Sequence, residues 1–299
     1  MRIAVTGGPG QLVLSLQERG PLLGHEVVAG GPPALDLAAP DDDAIHAALA
    51  AAQPEAIVNA AAHTAVDKAE SERDLAFAIN AEGAGAVARA AARLGVPVIQ
   101  ISTDYVFAGD KPSPYVESDA TGPTGVYGAS KLAGETAVLA SGADAAILRT
   151  AWVYSPFGAN FAKTMLRLAA TRDEVGVVAD QIGCPTSALD LADAAIAVAI
   201  NLAASPDPAA RGLFHATGSG EGSWADFAEA IFAASAAAGG PAARVKRITT
   251  ADYPTPAQRP ANSRLDCSRL ASVHSVRLPD WRESTRAVVA RLVADNSYA

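Results

Sequence analysis

The chain of 299 residues is poor in cysteine, in aromatics and in positive charge. Its two cysteines, Cys184 and Cys267, are too few for a disulfide framework and read as reduced thiols. Aromatics make up 5% while half of the residues are hydrophobic, so alanine carries much of the apolar content, which favours helices packed closely against a sheet. With 23 Lys and Arg against 32 Asp and Glu, the formal charge is −9. That balance argues against nucleic-acid binding, which needs cations against phosphate, although a few local donors can still hold an anionic small molecule. Long hydrophobic runs are missing as well. Ala194–Ile200 is flanked by Asp190, Asp193 and Asn201, and no stretch approaches the roughly 18–20 apolar residues of a membrane helix. The opening Met1-Arg2-Ile3-Ala4-Val5-Thr6 breaks at once into glycine, too short for a secretory core, so the expectation is a cytoplasmic protein with no membrane partner.

What is present is an alternation of short β-branched runs and longer alanine-rich stretches, the pattern of βα units around a doubly wound parallel sheet. Strands are expected at Ile3–Thr6, Glu26–Ala29, Ala56–Asn59, Pro97–Ser102 and Ala145–Arg149, and helices at Gln11–Arg19, Asp42–Ala52, Leu75–Leu94 and Tyr127–Ala140. Pro40-Asp41-Asp42-Asp43 places acids at a helix start, where the dipole favours them. After Thr150 the regularity loosens: helical patterns recur at Phe161–Ala170, Leu189–Leu202, Trp224–Ala237 and Trp281–Val293 between Pro- and Gly-rich loops, and Ala251–Arg264 carries Pro254, Pro256 and Pro260. Residues 1–150 therefore read as a nucleotide-binding lobe and 151–299 as a smaller substrate lobe interwoven with it.

Gly7-Gly8-Pro9-Gly10 follows the first strand and opens a helix. Glycines there let the backbone approach a pyrophosphate seated on the helix N-terminus, though the same string also serves a plain strand–helix turn. Val13 stands where a third glycine would allow close helix–strand contact, which implies a slightly displaced helix. The second strand ends in Gly30-Gly31-Pro32, with neither an acid for a ribose 2′-hydroxyl nor an Arg for a 2′-phosphate, so the choice between NAD and NADP is not readable.

Ile99-Gln100-Ile101-Ser102-Thr103-Asp104 ends a strand in hydroxyls and an acid, at the sheet end where ligands bind. Tyr127 and Lys131 follow, four apart and on one helix face if the segment is helical. A phenol near pKa 10 is a poor acid at neutral pH, and a neighbouring ammonium moves it towards the working range. A lone Tyr-x-x-x-Lys is as a rule a surface pair. Joined in order to Thr103 and the glycine turn, it has the parts of a short-chain dehydrogenase/reductase site.

Longer strings then resemble one family: Asn59 to Glu70 (NAAAHTAVDKAE), Ser102 to Phe107 (STDYVF), Tyr127 to Glu135 (YGASKLAGE), Asn160 to Met165 (NFAKTM), Asp180 to Thr186 (DQIGCPT) and Arg259 to Leu265 (RPANSRL). The chain resembles the dTDP-4-dehydrorhamnose reductases, an atypical, extended-like branch of the short-chain reductases, over residues 1 to about 293. The resemblance implies a Rossmann-type fold and NADPH- or NADH-dependent reduction of the 4-keto group of dTDP-6-deoxy-L-lyxo-4-hexulose to dTDP-L-rhamnose. It implies that Gly7, Gly10, Gln11 and Leu12 lie against the cofactor pyrophosphate, that Asp36 and Leu37 flank adenosine, and that Ala62, His63, Thr64 and Ile101 line the cofactor. Thr103, Asp104 and Trp152 would meet the sugar, Tyr127 would donate the proton, and Lys131 would bind the nicotinamide ribose and acidify Tyr127. Asn160 is a further substrate candidate. Arg259 and Asn262 could hold the nucleotide diphosphate, Arg bidentately, or lie in a solvated loop.

Several alternatives stay open on the residues alone. Trp152 fits a buried core position as well as an apolar plate, His63 fits a hydrogen-bonded loop histidine, and Cys184 fits a packed thiol. Some members of the family bind Mg²⁺ through acids at a dimer interface. Ser15 and Leu189 stand at the matching places, so no metal and a monomer are expected. A dehydratase or epimerase of the same fold is disfavoured because Asp104 is followed by Tyr105 rather than Glu. A sister dTDP-4-keto-deoxysugar reductase (one making dTDP-dihydrostreptose, for instance) and a non-catalytic NAD(P)-binding regulatory subunit remain as rivals.

Overall fold

Short apolar runs, most of them buried, form one six-stranded parallel sheet in the computed structural model, which describes residues 1–298. The strands are β1 (Arg2–Thr6), β2 (Glu26–Gly30), β3 (Ala56–Asn59), β4 (Val98–Thr103), β5 (Ala145–Thr150) and β6 (Gly212–His215). Their order across the sheet is β2-β1-β3-β4-β5-β6, all neighbours parallel. The winding reverses between β1 and β3, which opens a crevice beyond their C-terminal ends.

The helices of nine or more residues are α1 (Gln11–Leu22), α2 (Asp42–Ala51), α3 (Ala84–Leu94), α4 (Val126–Leu139), α5 (Phe161–Ala169), α6 (Ala188–Ala204), α7 (Trp224–Ala237) and α8 (Trp281–Ala294). On one sheet face α1 and α6 enclose Ile3, Val5, Leu16, Leu148, Ile196 and Phe214. On the other, α2, α3 and α4 cover Ala4, Ile57, Val98 and Ile147. A third core lies beyond the sheet, where α5, α7 and α8 surround Tyr154, Phe227 and Trp281. Asp41 caps α2 through its side chain, which accepts the Ala44 N–H at 2.8 Å, so the acid run begins the helix as its composition implies.

Strand boundaries agree with the sequence reading to one residue at either end. Three features differ. β6 was absent from that reading and joins the sheet beside β5 from far along the chain. Val13 is buried beneath Gly7 in the α1 core, filling the space that the missing third glycine would leave. The expected helix Leu75–Leu94 is a longer helical run that begins at Arg73 and widens into a π-turn over Ala78–Gly83. Such turns re-aim a side chain, here Asn80.

Helix α4 lies unusually close to its neighbours because two of its residues lack side chains. A Cβ on Gly128 would collide with the Tyr105 carbonyl oxygen, and one on Gly134 with the Asn80 carbonyl oxygen. Both obstacles are backbone, which cannot move aside cheaply. Gly128→Ala is therefore expected to cost about 1–3 kcal/mol of stability, the range for an overpacked site, and a thermal melt checks it.

Candidate functional site

A cavity of about 740 Å³ opens at the C-terminal ends of β1, β3, β4 and β5. Its first wall is the glycine turn. Gly7 has φ +123, and a Cβ there would press within 3.3 Å of the Ala61 backbone. Gly8 and Gly10 face open space, and the N-terminus of α1 carries neither a side-chain cap nor an acid in its first turn. Unclaimed N–H groups at a helix start, over glycines that leave room, fit a pyrophosphate. Leu12 and Gln11 line the same wall; Gln11 Oε1 accepts the Ser155 hydroxyl at 2.9 Å.

Beneath this wall a buried polar chain ties the strand ends together. Thr6 donates to Asn59 Oδ1, Asn59 donates to Gln100 Oε1 at 2.6 Å, and Gln100 donates to the Ile101 carbonyl at 2.8 Å. The π-turn supplies the link to the opposite wall. Asn80 accepts the His63 N–H at 2.8 Å and donates to the His63 carbonyl and to Ser130 Oγ, which in turn donates to the Tyr127 carbonyl at 2.8 Å. Asn80 thus fixes the loop after β3 against α4.

On the second wall Tyr127 and Lys131 share the cavity face of α4 with Thr103 and Asp104 from the end of β4. Tyr105 stands edge-on to Tyr127, ring centroids 5.5 Å apart. Burial pushes the Tyr127 phenol up to about 12; the Thr103 hydroxyl opposes that shift and Asp104 adds to it. Lys131, expected to acidify this phenol, is not among the causes of its shift. Lys131 donates to the Ile101 carbonyl at 2.7 Å, and burial brings it down to about 8 against the opposing pull of Glu135. Asp104 is raised to about 6 by burial, while the hydroxyls of Ser263 and Thr103 pull it back.

A third wall comes from the segment after β5. Trp152, held at φ +49, stacks on Trp224 at 3.7 Å and packs against Gly183. One indole face is thereby covered, so only the remainder of the ring meets the cavity. Asn160 lines the cavity too, but its amide caps α5, accepting from Lys163 N and donating to the Ser155 and Phe157 carbonyls.

Thirteen of the residues singled out in the sequence thus converge, Ala62, Thr64 and Ile101 among them. Five lie outside the cavity lining. Asp36 is exposed and accepts the Ala38 N–H, Leu37 is core packed against Gly83, and His63 turns its ring to Glu72 at 2.7 Å. Arg259 donates to Asp67 at 2.7 Å, with its Nη1 buried and unpartnered, beside Tyr105. Asn262 holds the backbone of Lys111 and Ser113 instead of facing the cavity. Ser15 donates to the Gln11 carbonyl, Leu189 packs on the third core, and Cys184 is a buried thiol that burial pushes up to about 11. Sequence reasoning missed Asn80 and Trp224. A polar residue inside an otherwise apolar helical run was the available signal for Asn80, and Trp224 gave none, since its partner is 72 positions away.

A doubly wound sheet with a glycine turn and a Tyr–Lys pair facing one crevice defines the short-chain dehydrogenase/reductase architecture. Within it, a model for the family described as the RmlD substrate binding domain matches residues 1–294, and the chain belongs to that family. A dTDP-4-dehydrorhamnose reductase of Sinorhizobium fredii is 51% identical over the full length of both chains. Among solved structures, a dTDP-4-dehydrorhamnose reductase of Clostridium acetobutylicum superposes with TM-score 0.89 at 38% identity, covering 98% of this chain and 99% of that one. One from Bacillus anthracis, in complex with NADP, gives TM-score 0.87 at 35% identity over 97% and 99%.

Proposed function

We propose that this protein reduces the 4-keto group of dTDP-4-dehydro-L-rhamnose with NADPH or NADH to give dTDP-L-rhamnose. The carrying observation is the convergence of Thr103, Tyr127 and Lys131 on a cavity whose other wall is an uncapped glycine turn. The names of relatives matched over nearly their full length, at 40–51% identity, support the same reaction and an enzyme over a regulatory subunit.

When bound, a nicotinamide cofactor would supply the hydride for the sugar carbonyl carbon. Gly7, Gly10, Gln11 and Leu12 would hold its pyrophosphate, with Ala62, Thr64 and Ile101 along the remainder of the cofactor. His63 acts through its backbone, while Asp36 and Leu37 reach adenosine only from outside the cavity lining. Tyr127 carries its proton throughout the neutral range, as its raised pKa requires, and gives it to the oxygen of the former ketone. Thr103 hydrogen-bonds that oxygen, and Lys131 places a positive charge one turn away. Trp152, Asp104 and the cap residue Asn160 shape the sugar pocket. Arg259, released from Asp67, would take the diphosphate. In this reading residues 1–150 serve the cofactor and 151–299 the substrate, interwoven through β6, in a cytoplasmic monomer without a metal. Among the described residues no helix is long and apolar enough to cross a membrane.

The test is oxidation of NADPH and of NADH at 340 nm with the dTDP-4-keto sugar, followed by product stereochemistry. Steady consumption giving the L-rhamno product is expected. No consumption with either cofactor, or a product of the other configuration at C4, would overturn the reading.

A further inference from the structure

Thr103 has one hydroxyl hydrogen, and the structure commits it sideways. Its Oγ1 accepts the Tyr105 N–H at 3.3 Å and donates to Asp104 Oδ1 at 3.0 Å. While Asp104 is a carboxylate it can only accept, so Thr103 is left with a lone pair to offer the cavity. A ketone oxygen also offers only lone pairs. Threonine and substrate would then meet acceptor to acceptor, and no hydrogen bond forms.

The surroundings of Asp104 suit a carboxyl that takes up a proton. Its side chain is buried at the cavity wall, and Oδ2 has no partner in hydrogen-bonding geometry, with the likewise unpartnered Ser263 hydroxyl beside the carboxyl. Among the described residues no cation is paired with it, since Arg259 is engaged by Asp67 and Lys131 by the Ile101 carbonyl. The titratable groups facing it are the phenols of Tyr105, on the turn after β4, and Tyr127, on α4; the proline-rich loop contributes only the neutral Ser263 hydroxyl, with Arg259 acting on Tyr105 behind it. Burial without a counter-charge favours the neutral acid, which brings its titration to about 6.

We infer that Asp104 is a positioning residue for this reaction, acting through Thr103: its protonated carboxyl donates to Thr103 Oγ1 and turns the threonine hydrogen onto the substrate carbonyl oxygen. The inference rests on the ketoreductase reading above. Asp104 keeps its proton through the turnover, since the hydrogen gained by the product oxygen comes from Tyr127. The free Oδ2 remains available to accept from a sugar hydroxyl.

The experiment compares kcat and KM from pH 5 to 9 for the wild type and Asp104→Asn, whose amide donates to Thr103 at every pH. In the wild type kcat should fall about tenfold per pH unit once Asp104 ionises, because only the protonated fraction is competent. In Asp104→Asn that fall should vanish, leaving only the decline near pH 8 where Lys131 loses its charge. An unchanged kcat profile in the variant, with or without a rise in KM, would overturn the inference and leave Asp104 as a plain sugar contact. Difference infrared spectroscopy gives a readout apart from turnover: a protonated-carboxyl band present at pH 5, lost by pH 8 and missing in Asp104→Asn is expected. Absence of that band from the wild type would overturn the inference as well. A wild type that reduces no dTDP-4-keto sugar but shows the band would sink the ketoreductase reading, and with it the role of the proton, while leaving the titration established.

Discussion

Tyr127→Phe should lower kcat by roughly 10²–10⁴, the range for a lost general acid, with the fold intact. The phenyl ring keeps its edge contact with Tyr105 and its seat on α4. Only the hydroxyl goes, and its raised pKa shows a group already poorly solvated. Tyr105 cannot stand in, because burial pushes its phenol higher still, and the Asp104 charge adds to that shift. In the proposed reading the substrate still meets Thr103 and Trp152, so KM should move by only a few-fold. Initial rates at saturating cofactor check this. A Phe variant within tenfold of wild type would remove Tyr127 as the proton donor.

Glu135→Ala should be the most destabilising single change near the site. Glu135 follows Lys131 by one turn on the inner side of α4 and is 3% exposed, against 2% for Arg149. Arg149 grips it with two parallel bonds of 2.8 and 2.6 Å, and Ser102 donates to it at 2.6 Å. Alanine would leave an uncompensated guanidinium, one of whose nitrogens already lacks a partner. Breaking a buried pair in this way costs about 3–5 kcal/mol, whereas removing both charges is often neutral. The melting temperature should drop on the order of 10 °C. Glu135→Ala/Arg149→Leu should recover part of the loss, a coupling that melts of the single and double variants measure. There is a functional consequence too. Glu135 opposes the lowering of the Lys131 pKa, so in an Asp104→Asn background, where the Lys131 decline stands alone, losing Glu135 should move that decline below pH 8. A loss under 1 kcal/mol would show that the pair does not anchor α4.

The legible part of this fold was local. β1, β3 and β5 are short apolar runs bounded by polar or glycine residues, and their length, with the alanine-rich stretches between them, placed them. The convergence of the proposed catalytic trio was legible for a related reason: a strand end and one helix face fix Thr103, Tyr127 and Lys131 with little help from elsewhere. What escaped depends on distant partners. Gly212–His215 is four residues long and becomes a strand only because β5 offers an edge. Arg149 reads as the polar end of a strand until Glu135 is found facing it inside the core. Trp152 read equally well as plate and as core, and stacking on Trp224 makes it partly each. The π-turn at Ala78–Gly83 has no signature in apolar spacing, since one extra residue per turn is absorbed within the run. Arg259 and Asp36 sit in loops, where the resemblance supplies a role but the local chain does not supply an orientation.

The late arrival of β6 constrains how the molecule can be made. A nascent chain that has emerged only through Thr150 presents β5 with a bare hydrogen-bonding edge and α1 with an uncovered flank. The pieces that shield them, α6 with its Arg19–Asp193 bridge and β6 itself, are still inside the ribosome or untranslated. The segment that reads first as a nucleotide binder is therefore completed last, and during that interval its open strand is a template for pairing with a neighbouring chain. Slow translation between residues 150 and 215 would lengthen the hazard, and chaperone capture of ribosome-bound chains should peak over that window.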